Sequence, residues 1–315
     1  MQSRSGVRLS AIQYNIIITT QNQVEKVGYY CIFLHFITLD EEMAKITDLL
    51  RITAAPSYSF EVTPDVHEAD LDNLPLEPTF FSVTWHAKSH LNKDLDIAPL
   101  KLAKLLRSKN KNVLLHLTCD LLRKDYLSKL LQLLQDNGIC NLFIMLGESY
   151  DPSLSDFQSS DELIKEIRRE FGDYFCIGVA GMPDCNDERL LLLKMKVNIG
   201  ANFILTQAFF ESDVFNQFTR KCKSVQIDVP IIPGVFYFED YKQLNGFIIL
   251  CKIKVSQNVL DYVKVKESTV NVAPGKEITR ELIRSLYTEQ GVNHFHLFTL
   301  NKFDRVCSFL RELEA

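Results

Sequence analysis

The chain has 315 residues, of which 46% are hydrophobic and 24% charged, and its formal net charge is −5. This is enough apolar material for one sizeable core. The charges of both signs are interspersed, which excludes a basic stripe for nucleic-acid binding. The apolar stretch Tyr29–Leu39 is too short to span a bilayer. We therefore expect a single domain that binds neither nucleic acid nor a membrane.

Eight cysteines are spread along the chain, and no two of them form a C-x-x-C pair. A zinc ribbon or a thioredoxin-type redox pair is therefore improbable. Several cysteines fall inside predicted strands or helices, where a free thiol behaves as a small apolar side chain. This usage predicts a reducing, cytoplasmic location and no metal site.

The first forty residues match no element of the fold predicted below. We therefore divide the chain into residues 1–39, an N-terminal extension of unassigned role, and residues 40–315, one folded domain. The segment Asp40–Arg51 has acidic residues at its start, as the first turn of a helix prefers. We expect this helix to cover the floor of the domain, before its first strand.

Eight short apolar runs follow, each ending in a polar or turn-forming residue, with amphipathic segments between them. Strand alternating with helix eight times is typical of an α/β fold, the closed (β/α)8 or TIM barrel. The predicted strands are Ser57–Val62, Thr79–Trp85, Asn112–Cys119, Asn141–Gly147, Tyr174–Gly181, Phe203–Phe210, Pro230–Phe236 and His294–Asn301. The later predicted helices are Asp94–Ser108, Lys124–Asn137, Asp161–Phe171, Asp187–Ile199, Glu211–Ser224, Asp240–Ile253, Lys276–Gln290 and Phe303–Leu313, and Ser256–Pro274 is extra material without a predicted element.

Polar side chains stand near the ends of several predicted strands, where barrels of this class carry their chemistry. Residues two apart on a strand share a face, so the inward sets end in Glu61, Thr84, Thr118 and Gln207, with His116 one step below. A carboxyl group buried among apolar neighbours has a raised pKa, which suits a general acid. These residues favour a catalytic site. Ion pairs and hydrogen bonds that seal the barrel rim are the alternative.

Nucleotide-binding and metal-binding motifs were considered next, because they would indicate the kind of ligand. No G-x-G-x-x-G follows a strand and no G-x-x-x-x-G-K-[ST] occurs, so Rossmann and P-loop nucleotide sites are improbable. His294 and His296 share one face of the last strand and could pair on a metal. That strand contains no acidic residue, and we favour core or rim histidines.

Seven segments carry a further signal: YSFEVTP (58–64), SVTW (82–85), HLTC (116–119), EFGDYFCIGVAGMP (170–183), KVNIGANFILTQAFF (196–210), PIIPGVF (230–236) and HFHLFTLN (294–301). In this order and spacing, from about Asp40 to the C-terminus, the chain resembles the methylenetetrahydrofolate reductase family. The resemblance implies a barrel that holds FAD at its open end and takes hydride from NADH or NADPH. It implies reduction of 5,10-methylenetetrahydrofolate to 5-methyltetrahydrofolate, in one-carbon and methionine metabolism. Because the chain stops at the end of the barrel, it resembles forms without a C-terminal S-adenosylmethionine-sensing domain.

The resemblance also implies roles for individual residues. Glu61 matches the general acid that protonates N10 of the folate, so that the five-membered ring opens to an iminium ion. Glu148 stands where the family has an aspartate, near the flavin pyrimidine edge and the pterin. The folate contacts are matched by Glu148, Gln207, Gln243 and Phe247, the last by stacking on the p-aminobenzoate ring. The FAD contacts are matched by Thr84, Trp85, His116, Gly147, Glu148, Ala180 and Lys196.

Five positions depart from the family pattern on the flavin side. Leu146 replaces an arginine, Ser159 and Met182 replace tyrosines, Asn186 replaces a histidine and Arg189 replaces an aspartate. The folate side is largely kept. We therefore expect an NAD(P)H-dependent reductase with a small-molecule folate substrate, compatible with a homo-oligomer. A non-catalytic folate-binding or regulatory paralogue, with a weakened or lost flavin site, and an unrelated barrel enzyme are the alternatives.

Overall fold

Eight parallel strands close into a barrel in chain order, with the last strand beside the first. This arrangement is seen in a computed structural model that describes residues 44–52, 55–148, 150–269 and 273–314, and it confirms the predicted (β/α)8 fold. The N-terminal extension, residues 1–39, lies outside the described residues. The strands are β1 Ser57–Val62, β2 Phe81–Val83, β3 Val113–Thr118, β4 Asn141–Met145, β5 Cys176–Gly181, β6 Phe203–Ala208, β7 Ile231–Val235 and β8 His294–Leu297.

Helices alternate with these strands and cover the outside of the barrel. They are α1 Ile46–Ile52, α2 Glu68–Asp72, α3 Ala87–His90, α4 Ala98–Ser108, α5 Lys124–Asp136, α6 Ser160–Phe171, α7 Asp187–Asn198, α8 Ser212–Ser224, α9 Tyr241–Cys251, α10 Gln257–Thr269, α11 Pro274–Gln290 and α12 Phe303–Glu314. Helix α10 lies in the segment for which no element was predicted. Its four valine and threonine residues are weak helix formers, and it is held by packing of Val259 and Val263 into an apolar cluster.

Most strands are shorter than predicted, because the backbone leaves the sheet before the apolar pattern ends. The clearest case is β8, which was predicted to reach Asn301 and ends at Leu297. Leu300 and Asn301 have φ angles of 48° and 56°. This left-handed backbone conformation cannot continue a strand.

Helix α1 closes the amino-terminal end of the barrel, which we call the floor. Ile46 is fully buried there, and Asn141 at the start of β4 ties it down. The Asn141 Oδ1 atom accepts from the Ile46 N–H at 2.9 Å, and its Nδ2 donates to the Ala44 carbonyl at 3.1 Å. The expected floor helix is therefore present as Ile46–Ile52, and residues 40–43 of the predicted segment lie outside the described residues.

Above the floor, the barrel interior (the lumen) contains two buried histidines bonded to serines. Ser57 Oγ lies 2.7 Å from Nδ1 of His294. Ser59 Oγ lies 3.0 Å from Nε2 of His294 and 2.9 Å from Nδ1 of His296. Phe80 stacks on both imidazole rings. Burial lowers the pKa of His294 to about 3 and that of His296 well below its ordinary value, so both rings are neutral. The histidine pair is thus built into the core.

Candidate functional site

The carboxyl-terminal end of the barrel, its mouth, contains Glu61 near the end of β1. Glu61 is in register with Ser82 of β2, and its carboxyl group accepts a hydrogen bond from the backbone N–H of Leu300. Its Oε1 atom is buried and has no hydrogen-bond partner among the residues that the structure describes. Burial raises the pKa of Glu61 to about 7, and the Leu300 bond opposes this rise. A carboxyl group with this pKa can hold or release a proton near neutral pH.

The backbone around Glu61 is fixed by the turn that follows β8. Thr299 Oγ1 donates to the Glu61 carbonyl at 2.6 Å. Asn301 accepts from the Thr63 N–H at 3.0 Å and donates to Thr63 Oγ1 at 2.6 Å. These bonds across β1 and β8 aim the Leu300 N–H at the carboxylate. No role was predicted for this turn, although it lies in the HFHLFTLN segment.

The ends of β2 and β3 contribute hydroxyl groups and an imidazole. Thr84 and Thr118 are buried, and neither hydroxyl has a partner in the described part of the chain. Nε2 of His116 lies 2.7 Å from Ser82 Oγ, and burial lowers the pKa of His116 to about 3. Because buried polar atoms in native proteins are nearly always bonded, the two unpartnered hydroxyls point to polar atoms of a ligand or to bound water.

The β4 side of the mouth is shaped by a glycine. Gly147 has a φ of +111°, and a Cβ atom there would lie 2.9 Å from Cβ of Asp120. Only glycine fits this backbone, which leaves the peptide groups before Glu148 uncovered by a side chain. Lys196, in the last turn of α7, is half-buried. Burial lowers its pKa, and the negative charge of Asp161 opposes that shift.

Two of the predicted folate contacts lie one turn apart on α9 and are packed against protein. Phe247 is 2% exposed, and its ring stacks on Phe236 with centroids 3.7 Å apart. Gln243 Oε1 accepts from Arg305 at 2.7 Å and from the Glu239 N–H at 3.0 Å. Neither group is free to bind a ligand in this arrangement of α9.

Cys251, one turn beyond Phe247, is a mouth residue that the sequence analysis missed. It packs beside the aromatic cluster that contains Phe247. Burial, together with the charges of Glu61 and Glu148, raises its pKa to about 12. The thiol is therefore neutral, and it presents an apolar surface near the carboxyl groups of Glu61 and Glu148. A single cysteine without a motif gave no signal in the sequence.

The remaining predicted contacts separate into two groups. Ala180 packs in the lumen cluster, and Gln207 follows the lumen-facing Leu205 by two residues, within a register shift of β6 against β7. Trp85 is different. It belongs to the core between barrel and helices and meets His90 edge-on at 4.8 Å, so its indole ring lies away from the mouth.

Two of the departures on the flavin side are helix caps. Ser159 Oγ accepts from the Glu162 N–H at 3.4 Å at the start of α6. Asn186 Oδ1 accepts from the Arg189 N–H at 3.1 Å at the start of α7. Capping satisfies backbone donors that the first turn of a helix leaves free. These two side chains are thus engaged in the fold.

Two further properties of the described residues bear on the site. They contain no group of three or more histidine, cysteine, aspartate or glutamate side chains that could hold a metal ion. None of their helices combines the length and the apolar character that crossing a bilayer requires.

These features define a TIM barrel with unpartnered buried polar groups at the carboxyl ends of its strands, where barrels of this class carry their ligand sites. The family model for methylenetetrahydrofolate reductase matches residues 45–314. The chain therefore belongs to the methylenetetrahydrofolate reductase family, as its motifs predicted.

Comparison with individual proteins gives similar results. A probable methylenetetrahydrofolate reductase (NADH) of Oryza sativa is 29% identical over 295 residues, which cover 82% of this chain and 48% of that protein. A probable methylenetetrahydrofolate reductase (NADPH) of Caenorhabditis elegans is 30% identical over 248 residues, covering 74% of this chain and 37% of that protein. The chain thus spans about half or less of the length of these relatives. An uncharacterized Clostridium thermocellum protein that binds two copies of 5-methyl-5,6,7,8-tetrahydrofolic acid shares the fold, with a TM-score of 0.59, 13% identity and coverage of 82% of this chain and 94% of that one.

Proposed function

We propose that this chain reduces 5,10-methylenetetrahydrofolate to 5-methyltetrahydrofolate, with FAD as cofactor and NAD(P)H as hydride donor. The observation that carries the proposal is Glu61, a carboxyl group at a strand end with one buried, unpartnered oxygen in the described part of the chain and a pKa raised to about 7. Membership of the family supports the same reaction. Seven free cysteines among the described residues support a reducing, cytoplasmic location.

Glu61 starts the cycle protonated and gives its proton to N10 of the folate. The bond between N10 and the bridging methylene then breaks, and the methylene stays on N5 as an iminium carbon. When bound, FAD supplies the hydride that reduces this carbon, after taking it from NAD(P)H. The Leu300 N–H stabilises the carboxylate that Glu61 becomes, and the negative charge of Glu148 favours the cationic iminium.

One side of the mouth has several groups that could hold FAD, and the other side has fewer such groups. Thr84, His116 and the bare backbone at Gly147 would hold the ring system, and the half-buried cation of Lys196 suits a phosphate. On the other side, Ser159 and Asn186 are engaged as helix caps. Each lost charge-assisted bond costs roughly 1–3 kcal/mol, and we therefore propose that FAD binds weakly and dissociates readily.

The folate side needs a movement of α9. Phe247 can stack on a p-aminobenzoate ring only after α9 shifts, since its ring is buried against Phe236. Gln243 must likewise release Arg305 before its amide can bind folate. We propose that folate binding opens this part of the mouth.

The test is to measure the two half-reactions separately in protein supplied with FAD. NAD(P)H should bleach the flavin, and methylenetetrahydrofolate should restore its colour. Glu61→Gln should slow the second step at least about 100-fold, because the acid is lost, and leave the first unchanged. The matched control Glu170→Gln changes a glutamate of α6 that is bonded to Ser128, and both steps should stay normal.

Protein that binds no flavin after incubation with excess FAD would contradict the proposed reductase activity. The capped flavin side would then favour the second candidate, a folate-binding barrel without redox chemistry. Calorimetric titration of the flavin-free protein with 5-methyltetrahydrofolate tests that candidate, and the absence of heat with any folate rejects it.

A further inference from the structure

His296 on β8 is a buried imidazole that the proposed reaction does not use. It is fully buried, and its Nε2 atom has no hydrogen-bond partner among the residues that the structure describes. Nitrogen atoms in such a position are normally bonded to protein, water or ligand. The second nitrogen, Nδ1, is held by Ser59 at 2.9 Å. One end of the ring is therefore fixed and the other is available.

The serine–histidine chain below His296 sets which nitrogen carries hydrogen. We assign the hydroxyl hydrogen of Ser57 to the Asn293 carbonyl oxygen, 3.2 Å away, which makes Nδ1 of His294 the donor in their 2.7 Å contact. A neutral imidazole has one donor and one acceptor. Nε2 of His294 therefore accepts from Ser59, and Ser59 accepts from Nδ1 of His296. This order leaves Nε2 of His296 as an acceptor.

A second unpartnered atom lies on the neighbouring strand. Ser59 is in register with His296, and Glu61 follows Ser59 by two residues on the same face of β1, about 7 Å further along the strand. The Oε1 atom of Glu61 is buried and unpartnered in the described part of the chain. Phe298 covers His296 edge-on with ring centroids 5.2 Å apart. An acceptor nitrogen and a carboxyl oxygen are thus both buried on the lumen side of the neighbouring strands β8 and β1.

We propose that Nε2 of His296 accepts the hydrogen bond of the protonated Glu61 carboxyl group through one bound water. His296 is then a positioning residue that keeps the proton on Glu61 until folate binds. The proposal rests on the proposed role of Glu61 as the acid. It gives the His-x-His motif of β8 a part in the proton chemistry, without any metal.

The other titratable groups near Glu61 do not provide this hydrogen bond. Cys251 on α9 is a neutral thiol that presents an apolar surface. His116 on β3 is neutral and bonded to Ser82. Glu148 beyond β4 is exposed. Asp65 beyond β1 is bonded to Thr63 and Asn301, which lower its pKa.

The test follows the protonation of Glu61 by infrared spectroscopy, independently of turnover. The carbonyl band of the protonated carboxyl group is recorded as a function of pH and assigned by its loss in Glu61→Gln. The wild-type midpoint is expected at about 7. His296→Phe keeps a ring between Phe80 and Phe298 and removes the acceptor. A hydrogen bond to the neutral carboxyl raises its pKa, so this variant should lower the midpoint by at least about half a pH unit.

The direction of the shift separates the proposal from a packing effect. Phenylalanine makes the lumen more apolar, and greater desolvation alone would raise the midpoint. Ser59→Ala is a second, milder variant that frees the orientation of His296, and it should lower the midpoint by a smaller amount. Ser285→Ala removes another buried serine hydroxyl on α11, remote from the lumen, and should leave the midpoint unchanged.

An unchanged or raised midpoint in His296→Phe, or, if that variant does not fold, an unchanged midpoint in Ser59→Ala, would overturn the inference. The folate half-reaction then distinguishes this failure from that of the proposed function. If the midpoint falls as expected and wild-type protein does not oxidise reduced flavin with folate, the hydrogen bond stands and the reductase activity is rejected. If the midpoint falls and wild-type protein does oxidise reduced flavin with folate, the pH profile of the folate half-reaction in His296→Phe should shift together with the infrared midpoint.

Discussion

The lower lumen and the mouth of this barrel both contain buried polar groups, but those of the lower lumen bond within the protein, apart from Nε2 of His296 in the described residues. Near the floor, Asn141 ties α1, and Ser57 and Ser59 bond the histidines of β8. At the mouth, Thr84, Thr118 and Glu61 each keep a buried oxygen without a partner in the described residues. Sequences leave such groups unsatisfied mainly at functional sites. The lower lumen is therefore core, and the mouth is where ligand atoms belong.

Acid should destabilise the protein through three buried histidines of the barrel interior, and this is the largest effect that we expect. His116, His294 and His296 have pKa values lowered by burial, to about 3 for the first two. In the unfolded chain each takes up a proton below about pH 6.5, whereas the folded protein does not. Their stabilisation is thus present above pH 6.5 and is lost as the pH falls, by about 4 kcal/mol per pH unit for three groups.

Glu61 opposes this loss, because its raised pKa lets the folded protein bind a proton below about pH 7. It returns about 1.4 kcal/mol per pH unit, so the net fall between pH 6 and pH 5 should be about 3 kcal/mol. Urea unfolding at both pH values measures it. His294→Phe should remove about one third of the histidine contribution, and His67→Gln, at an exposed position, is the control for the loss of a histidine. An unchanged slope in His294→Phe would contradict the buried neutral histidines.

The mouth should show the opposite pH dependence, with a smaller effect. A buried glutamate with a raised pKa favours folding below its unfolded value, and this contribution is lost as the pH rises through about 7. Glutamine has no charge to bury. We therefore expect Glu61→Gln to be more stable than wild type at about pH 8, by between about 1 and 3 kcal/mol, and to lose this advantage at about pH 5.

Paired urea unfolding curves at the two pH values measure this difference. Glu170→Gln is the control for replacing a glutamate away from the mouth by glutamine. If Glu61→Gln gives equal differences at pH 5 and pH 8, the carboxyl group is not desolvated, and the general acid loses its physical basis.

The strands and Glu61 could be predicted because their signals are local. Eight apolar runs alternate with amphipathic segments, and Glu61 stands at the end of one run with its inward face set by a period of two. Helix α10 was not predicted because its valine-rich sequence lacks helix propensity. Its helical state depends on the packing of Val259 and Val263 against distant aromatic rings.

The missed parts of the site depend on contacts between residues far apart in the chain. Thr299, in the turn after β8, bonds to the Glu61 carbonyl although the two residues are more than two hundred positions apart in the chain. Cys251 lies near the carboxyl groups of Glu61 and Glu148 only because of the way α9 packs. Trp85 shows the same limit. Its motif implied a flavin contact, whereas its place on the strand directs the indole ring into the outer core. A motif identifies a segment of the site, and the pleat of the strand decides which side chain enters it.

The smallest effect tests the capped side of the mouth. Asn186 caps α7, and Asp240 caps α9 by accepting from the Gln243 N–H at 2.7 Å. Replacing either residue by alanine should cost about 1 kcal/mol of stability, measured by urea unfolding. Asn186→Ala should leave the flavin content per protein unchanged, since its side chain is engaged with the helix. If it instead loses flavin while stability is unchanged, Asn186 is a flavin ligand, and the proposed weakening of that side of the mouth is wrong.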